Sequence, residues 1–288
     1  MKRAAMVGVM LALAIFVFAQ APASQNQPAA QTGAAQTGAA QPAPPPGKRP
    51  PQAKTQPEFD AYNAAMANTN NPAALEKAAD DFATKFPDSE LRVLLYRSAM
   101  HSYQSANNAD KMMEMGRKVL KIDPDDPEAL VGVAQVLAER TRDTDLDKDQ
   151  RLDEAMKLAQ RSIETVDTDV AVPAGTPQDK IDAYKGFLRS SAYSIMGALQ
   201  FKKEKFADAE GYLRKSIDAY PAQPDPVVVL RLALSLDKQE KYPEALKFAN
   251  QAVQLAQDNP TLAKLAGNER DRLVALAPAT APPAPPKN

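Results

Sequence analysis

Cysteine is absent from the 288 residues. That excludes a disulfide scaffold, a thiolate metal site, a Cys nucleophile and a lipid-modified N-terminal Cys. Histidine occurs once, as His101, so His-rich zinc or iron sites and the two-His zinc-protease motif are excluded as well. Neither sign of charge dominates: 35 Lys and Arg face 36 Asp and Glu, a net charge of −1. No long-range field therefore draws the chain to nucleic acid or to an anionic membrane surface. Neither a Gly-rich phosphate loop nor a Gly-x-Ser-x-Gly elbow occurs. Period-2 alternation is nearly missing too, and the one β-branched run, from Pro226 to Leu230, continues into a helical pattern. The length allows one large domain or two modest ones.

Proline marks the ends. Of 25 Pro, 9 lie in residues 22–57 and 5 in residues 278–288. Residues 1–23 read as a signal peptide. Lys2 and Arg3 precede an uncharged, mostly apolar run from Ala4 to Ala19, and small residues offer cleavage after Ala19 or Ala23. That run is shorter than the roughly 20 residues needed to span a bilayer. The expectation is export and cleavage, leaving a periplasmic or secreted protein without stable membrane insertion. Residues 24–55, rich in Ala, Gln, Gly and Pro, predict a disordered linker, and 278–288 a disordered tail of the same kind.

Between these ends the chain is helical and repetitive. Ala, Leu, Lys, Glu, Gln and Met dominate, with apolar residues three and four apart. Breaks recur at Asn71-Pro72, Phe86-Pro87-Asp88, Asp123-Pro124-Asp125, Tyr220-Pro221 and Asn259-Pro260. The segments Phe206-Ala-Asp-Ala209 and Tyr242-Pro-Glu-Ala245 lie 36 residues apart, and Pro87 and Pro124 lie 37 apart. Such a period signals a stack of helix pairs. In the stretch from Tyr193 to Pro221, small residues at Gly197, Ala209 and Ser216 would let two helices approach, with Phe206 and Leu213 filling between layers. Val229, Leu232, Ala233 and Leu236, then Tyr242, Ala245, Ala249 and Ala252, repeat the pattern. Earlier units carry Phe59, Tyr62, Leu75, Ala79 and Phe82; Tyr96, Ala99, Tyr103, Met112, Gly116 and Val119; and Leu130, Val133, Ala134, Leu152, Ala155 and Ala159.

These residues resemble the tetratricopeptide repeat, and the resemblance covers residues 56–277. It implies an all-α, right-handed solenoid of about five antiparallel helix pairs, closed by a capping helix from about Thr261 to Leu276. It implies a non-enzymatic scaffold that binds a protein or peptide partner along the concave wall of first helices. On this register that wall holds Arg97, His101, Gln104, Val131, Gln135, Ser194, Phe201, Leu230, Leu234 and Lys238. The paired Lys and Asn with which some family members clamp a chaperone's carboxylate end are lacking, so that activity does not carry over. The alternative is a structural component of an outer-membrane or secretion assembly that docks by its convex face. An enzyme is a third reading with little behind it, since a lone His101 between Ser98 and Ser102 is the sole candidate base.

No cofactor is expected, with one open question. Asp143, Asp145, Asp147, Asp149 and Glu154 fall at positions 1, 3, 5, 7 and 12 of a loop, the spacing of a helix–loop–helix calcium site. Lys148 stands where the sharp turn wants Gly, and Gln150 where an apolar residue is usual. The competing reading is a solvated acidic loop neutralised by Arg140, Arg142, Lys148 and Arg151.

Overall fold

The structure is a computed structural model that describes residues 48–173 and 175–276. The segment read as a signal peptide, most of the expected linker and the Pro-rich tail lie outside these residues. Among the described residues eleven helices follow one another: α1 (Gln56–Met66), α2 (Pro72–Lys85), α3 (Leu91–Ser105), α4 (Ala109–Ile122), α5 (Pro127–Arg140), α6 (Lys148–Thr165), α7 (Gln178–Lys202), α8 (Phe206–Ala219), α9 (Pro226–Asp237), α10 (Tyr242–Leu255) and α11 (Pro260–Leu276). Among the described residues the only β feature is an isolated bridge between Lys48 and Ala171. The compact division of the chain falls inside α7, between Leu188 and Arg189.

Helix starts are written into the sequence. Asn71, Asn108, Asp126 and Asn259 each accept, through the side chain, the amide three residues on, at 2.8–3.1 Å. Proline occupies the first helical positions of α2, α5 and α9, where its missing N–H costs nothing. Three first helices, α3, α7 and α9, end in a shared way. Asn107, Glu204 and Glu240 take φ of 56°, 58° and 59°. The next amide in each turn then reaches back five residues, from Asn108 to Tyr103, Lys205 to Gln200 and Lys241 to Leu236, at 2.9–3.0 Å. This left-handed C-cap reverses the chain within three residues and sets the second helix against the first.

In the N-terminal unit (described residues 48–188), α2 packs on α3, α3 on α4, α4 on α5 and α5 on α6. The cross-contacts give the directions. The hydroxyls of Tyr96 and Tyr103 on α3 reach Asp80 and Glu76 on α2, one index rising as the other falls, so these helices are antiparallel. Lys111 and Lys118 on α4 pair with Glu76 and Asp80, rising together, so successive second helices run parallel. The core is built from Leu75, Leu91, Leu95, Met100, Met115 and Val119, each at most 1% exposed. Gly116 is small by necessity: a Cβ there would sit 2.7 Å from Val133 Cγ2.

In the C-terminal unit (described residues 189–276), α9 packs against α8, α10 and α11. A Cβ on Gly197 of α7 would meet Leu213 Cγ of α8 at 2.7 Å. Ser216 Oγ donates to the Ser190 carbonyl at 2.8 Å, and Phe201 stacks edge-on with Phe206 at 5.4 Å. Those three contacts again pair rising with falling indices. At Gly267 of α11, by contrast, nothing among the described residues lies within 4 Å of the Cβ site.

α7 is 25 residues long and begins at Gln178, so the α6–α7 connection is a loop that ends at Pro177. One difference from the sequence reading stands out. Residues 48–55, placed by composition in the disordered linker, are instead laid extended against the N-terminal unit. Lys48, Arg49 and Lys54 all have partners there.

Candidate functional site

The predicted wall residues fall in both units. In the N-terminal unit Arg97 and His101 sit one turn apart on α3 and face the start of α5. Arg97 pairs with Asp126, whose side chain is fully buried, and its Nε lies 3.4 Å from Glu128 Oε2 without forming a hydrogen bond. His101 Nε2 pairs with Glu128, while the outer part of the ring stays open, 46% exposed. Tyr184 of α7 donates its hydroxyl to Glu128, and Tyr62 of α1 lies within the field of Arg97. All four first helices of this unit thus meet in one polar knot.

Its electrostatics are mutual. Burial opposes the charge on Glu128, but His101, Arg97 and the Tyr184 hydroxyl outweigh it and bring the carboxyl down to about 2. Glu128 in turn raises His101 above its ordinary value, against the ring's own desolvation. Desolvation also opposes the charge on Arg97, and Asp126 and Glu128 overcome it. Burial lifts Tyr62 to about 12 and Tyr184 well above its usual range. Two basic side chains, Arg97 and His101, thus meet two carboxylates, those of Asp126 and Glu128, in the knot.

The other predicted residues of this unit lie farther along α3 and α5. Val131 is buried at 7% exposure, Gln104 is half-buried, and Gln135 donates to Glu139 at 3.0 Å. Sequence reasoning missed Asp126, Glu128 and Tyr184. Asp126-Pro127 was readable as a helix start, but nothing local shows that its carboxylate also meets an arginine on the previous first helix.

In the C-terminal unit Leu230 and Leu234 of α9 line a cavity of about 320 Å³ closed by Leu265, Asn268, Glu269 and Arg272 of α11. Its floor is apolar and its rim carries charge. Arg272 spans Asp237 and Glu269, which fixes the rim in place. Leu265 is 55% exposed at its mouth. Lys238 is exposed at the end of α9, Ser194 is half-buried on α7, and Phe201 packs into the apolar cluster around Leu213 and Leu232.

The acidic loop is not drawn together. α6 begins at Lys148, so Asp149 and Glu154 stand on the helix while Asp143 and Asp145 stay in the loop. Asp143 pairs with Lys148 at 2.8 Å, Asp145 accepts from the Arg142 amide at 2.9 Å, Asp147 lies 4.0 Å from Arg151, and Glu154 pairs with Arg117 at 2.9 Å. No group of three or more His, Asp or Glu suited to holding a metal occurs among the described residues.

No protein-family model matches the sequence, and no curated protein matches it. Solved structures do. A thermophilic tetratricopeptide-repeat protein of Thermus thermophilus, TTC0263, aligns at 10% identity with a TM-score of 0.45, over 74% of this chain and 98% of its own. PilF of Pseudomonas aeruginosa aligns at 17% identity and 0.48, over 76% and 95%. The assembly chaperone of RpL4, Acl4, aligns at 13% identity and 0.41, over 76% and 96%. The fold is a helix-pair repeat of the tetratricopeptide kind. That statement stands on the alternating antiparallel and parallel contacts, the recurring C-caps and the helix-to-helix glycines described above.

Proposed function

We propose that this chain is a non-enzymatic scaffold that binds a protein or peptide on the exposed faces of its first helices. The carrying observation is the cavity between α9 and α11, with Leu230 and Leu234 on its floor, Leu265 at its mouth and Glu269 and Arg272 at the rim. An apolar floor with a fixed charged rim suits an apolar side chain or two of a partner segment, with polar groups setting register. The second helices offer less. Their charges are already spent on one another, as in Glu76–Lys111, Asp80–Lys118 and Arg117–Glu154.

The proposal places the protein outside the cytoplasm, on the strength of residues 1–23. Among the described residues no helix is long and apolar enough to cross a membrane. N-terminal sequencing of the protein from a cell-envelope fraction should begin at Gln20 or Ser24; Met1 retained in membranes would overturn the export reading. The binding reading is tested with the full chain and a Leu234→Asp/Leu265→Asp variant as baits on envelope extract. Loss of a captured protein from a variant that melts like the wild type supports the cavity. Capture unchanged by the variant moves the site to the convex face.

A further inference from the structure

The segment ahead of α1 is bound like a peptide. Residues 48–54 run across the loops that join successive helix pairs of the N-terminal unit. Lys54 Nζ donates to the Asp88 carbonyl in the α2–α3 loop at 2.9 Å. Arg49 makes a two-pronged pair with Glu90 at 2.7 and 2.8 Å, and the Gln52 amide donates to the same carboxylate at 3.2 Å. Lys48 reaches both oxygens of Asp123 in the α4–α5 loop at 2.7 Å. It also stands 3.7 Å from Asp169 in the α6–α7 loop, beside the bridge to Ala171.

The seat has a physical logic. Each of these loops carries acidic residues, and packed helices stand about 8–10 Å apart. The loops therefore present carboxylates in a row, with one helix pair between each and the next. A fully extended chain advances about 3.3 Å per residue, so the stretch from Lys54 to Lys48 covers roughly 20 Å. Pro50 and Pro51 hold that stretch extended with little entropy left to lose. Ala53 is 7% exposed and anchors the end nearest α1. The anchoring cations are open to water, Lys48 at 41% and Arg49 at 59% exposure. Exposed pairs of this kind hold weakly and weaken further with salt. The strap therefore opens far more readily than the helices beneath it.

We propose that the acidic loop edge of the N-terminal unit is a docking site for an extended protein segment carrying two adjacent basic residues. Residues 48–54 occupy it in cis, and a partner segment enters by displacing them. This edge lies at the loop ends of the helix pairs and makes no use of the α9–α11 cavity, so its test is independent of the scaffold reading above.

The test uses the full chain and a fluorescent peptide of residues 48–56 as the probe. Lys48→Glu/Arg49→Glu turns the strap against its seat, and Pro50→Gly/Pro51→Gly loosens it without changing charge. The reversed variant should bind the peptide at least about tenfold more tightly than the wild type does, because the competing cis segment is gone. The glycine variant should show a smaller gain. Adding Glu90→Lys, or raising salt from about 0.05 to about 0.5 M, should abolish binding. Equal peptide binding by wild type and both variants, or none by variants that melt like the wild type, overturns the proposal.

Discussion

Replacing Gly197 by alanine adds one methyl group, and the surroundings decide its sign. Inside a helix, alanine is favoured over glycine by about 1 kcal/mol. At Gly197 that gain is opposed, because the new Cβ would lie 2.7 Å from Leu213 Cγ and 2.8 Å from Cδ2. Those atoms are held in a side chain with no exposed surface, so the helices must part or Leu213 must leave its rotamer. Overpacking of this kind costs about 1–3 kcal/mol. Gly211 on α8 and Gly267 on α11 have nothing within 4 Å of the Cβ site, so there the same change should only stabilise. Gly197→Ala should therefore fall about 1–3 kcal/mol below Gly211→Ala, a comparison in which helix propensity cancels. In a thermal melt that is about 2–4 °C per kcal/mol. Gly267→Ala should follow Gly211→Ala, since both Cβ sites are open. Equal melting temperatures for all three variants would refute the close approach of α7 and α8.

The remaining predictions concern the polar knot and the turns. Arg97→Ala strands the buried carboxylate of Asp126 beside Glu128 and should cost about 3–5 kcal/mol by chemical denaturation. Because the pKa of His101 is raised in the folded state, its stabilisation is complete below the unfolded value and disappears as pH climbs through the folded one. The wild type should thus lose more melting temperature between about pH 6 and 9 than His101→Gln does, given an unfolded value of about 6.5. Glu128, brought down to about 2, contributes in the opposite sense, its stabilisation fading as pH falls from the unfolded value toward that figure. Glu204→Gly and Glu240→Gly relieve side chains held at φ of 58° and 59°, and each should raise stability by about 1 kcal/mol in the same melts.

Local chemistry was the legible part of this molecule. Asn71-Pro72 and Asn259-Pro260 mark breaks in the sequence, and each Asn caps the helix that follows because the cap and its amide are three residues apart. Gly197 and Leu213 announced a close helix crossing because the repeat supplied their spacing. The knot was only half legible. Arg97 and His101 were on the predicted wall, but their carboxylates come from the next first helix, 29 and 27 residues away. The Leu230–Leu234 stripe was readable on α9, whereas its opposite lip, Leu265 and Arg272, lies on a helix expected only to cap the array. The strap was illegible for a different reason. Its composition of Lys, Arg, Pro, Gln and Ala carries no folding signal of its own, because the acidic row that holds it is assembled from three separate loops.

That strap also decides where a pull on the protein would be felt. Tension on the chain ahead of Lys48 would enter the fold at Asp123 and Asp169, well away from α1. The contacts are strung along one line, so they would give way in turn, Lys48 first, then Arg49, then Lys54. Each release lengthens the leash before the next bond is loaded, up to roughly 20 Å of slack in all. Until that slack is spent α1 carries no force, and the strap re-seats when the load is removed. The N-terminal connection would thus yield in steps before α1 is loaded.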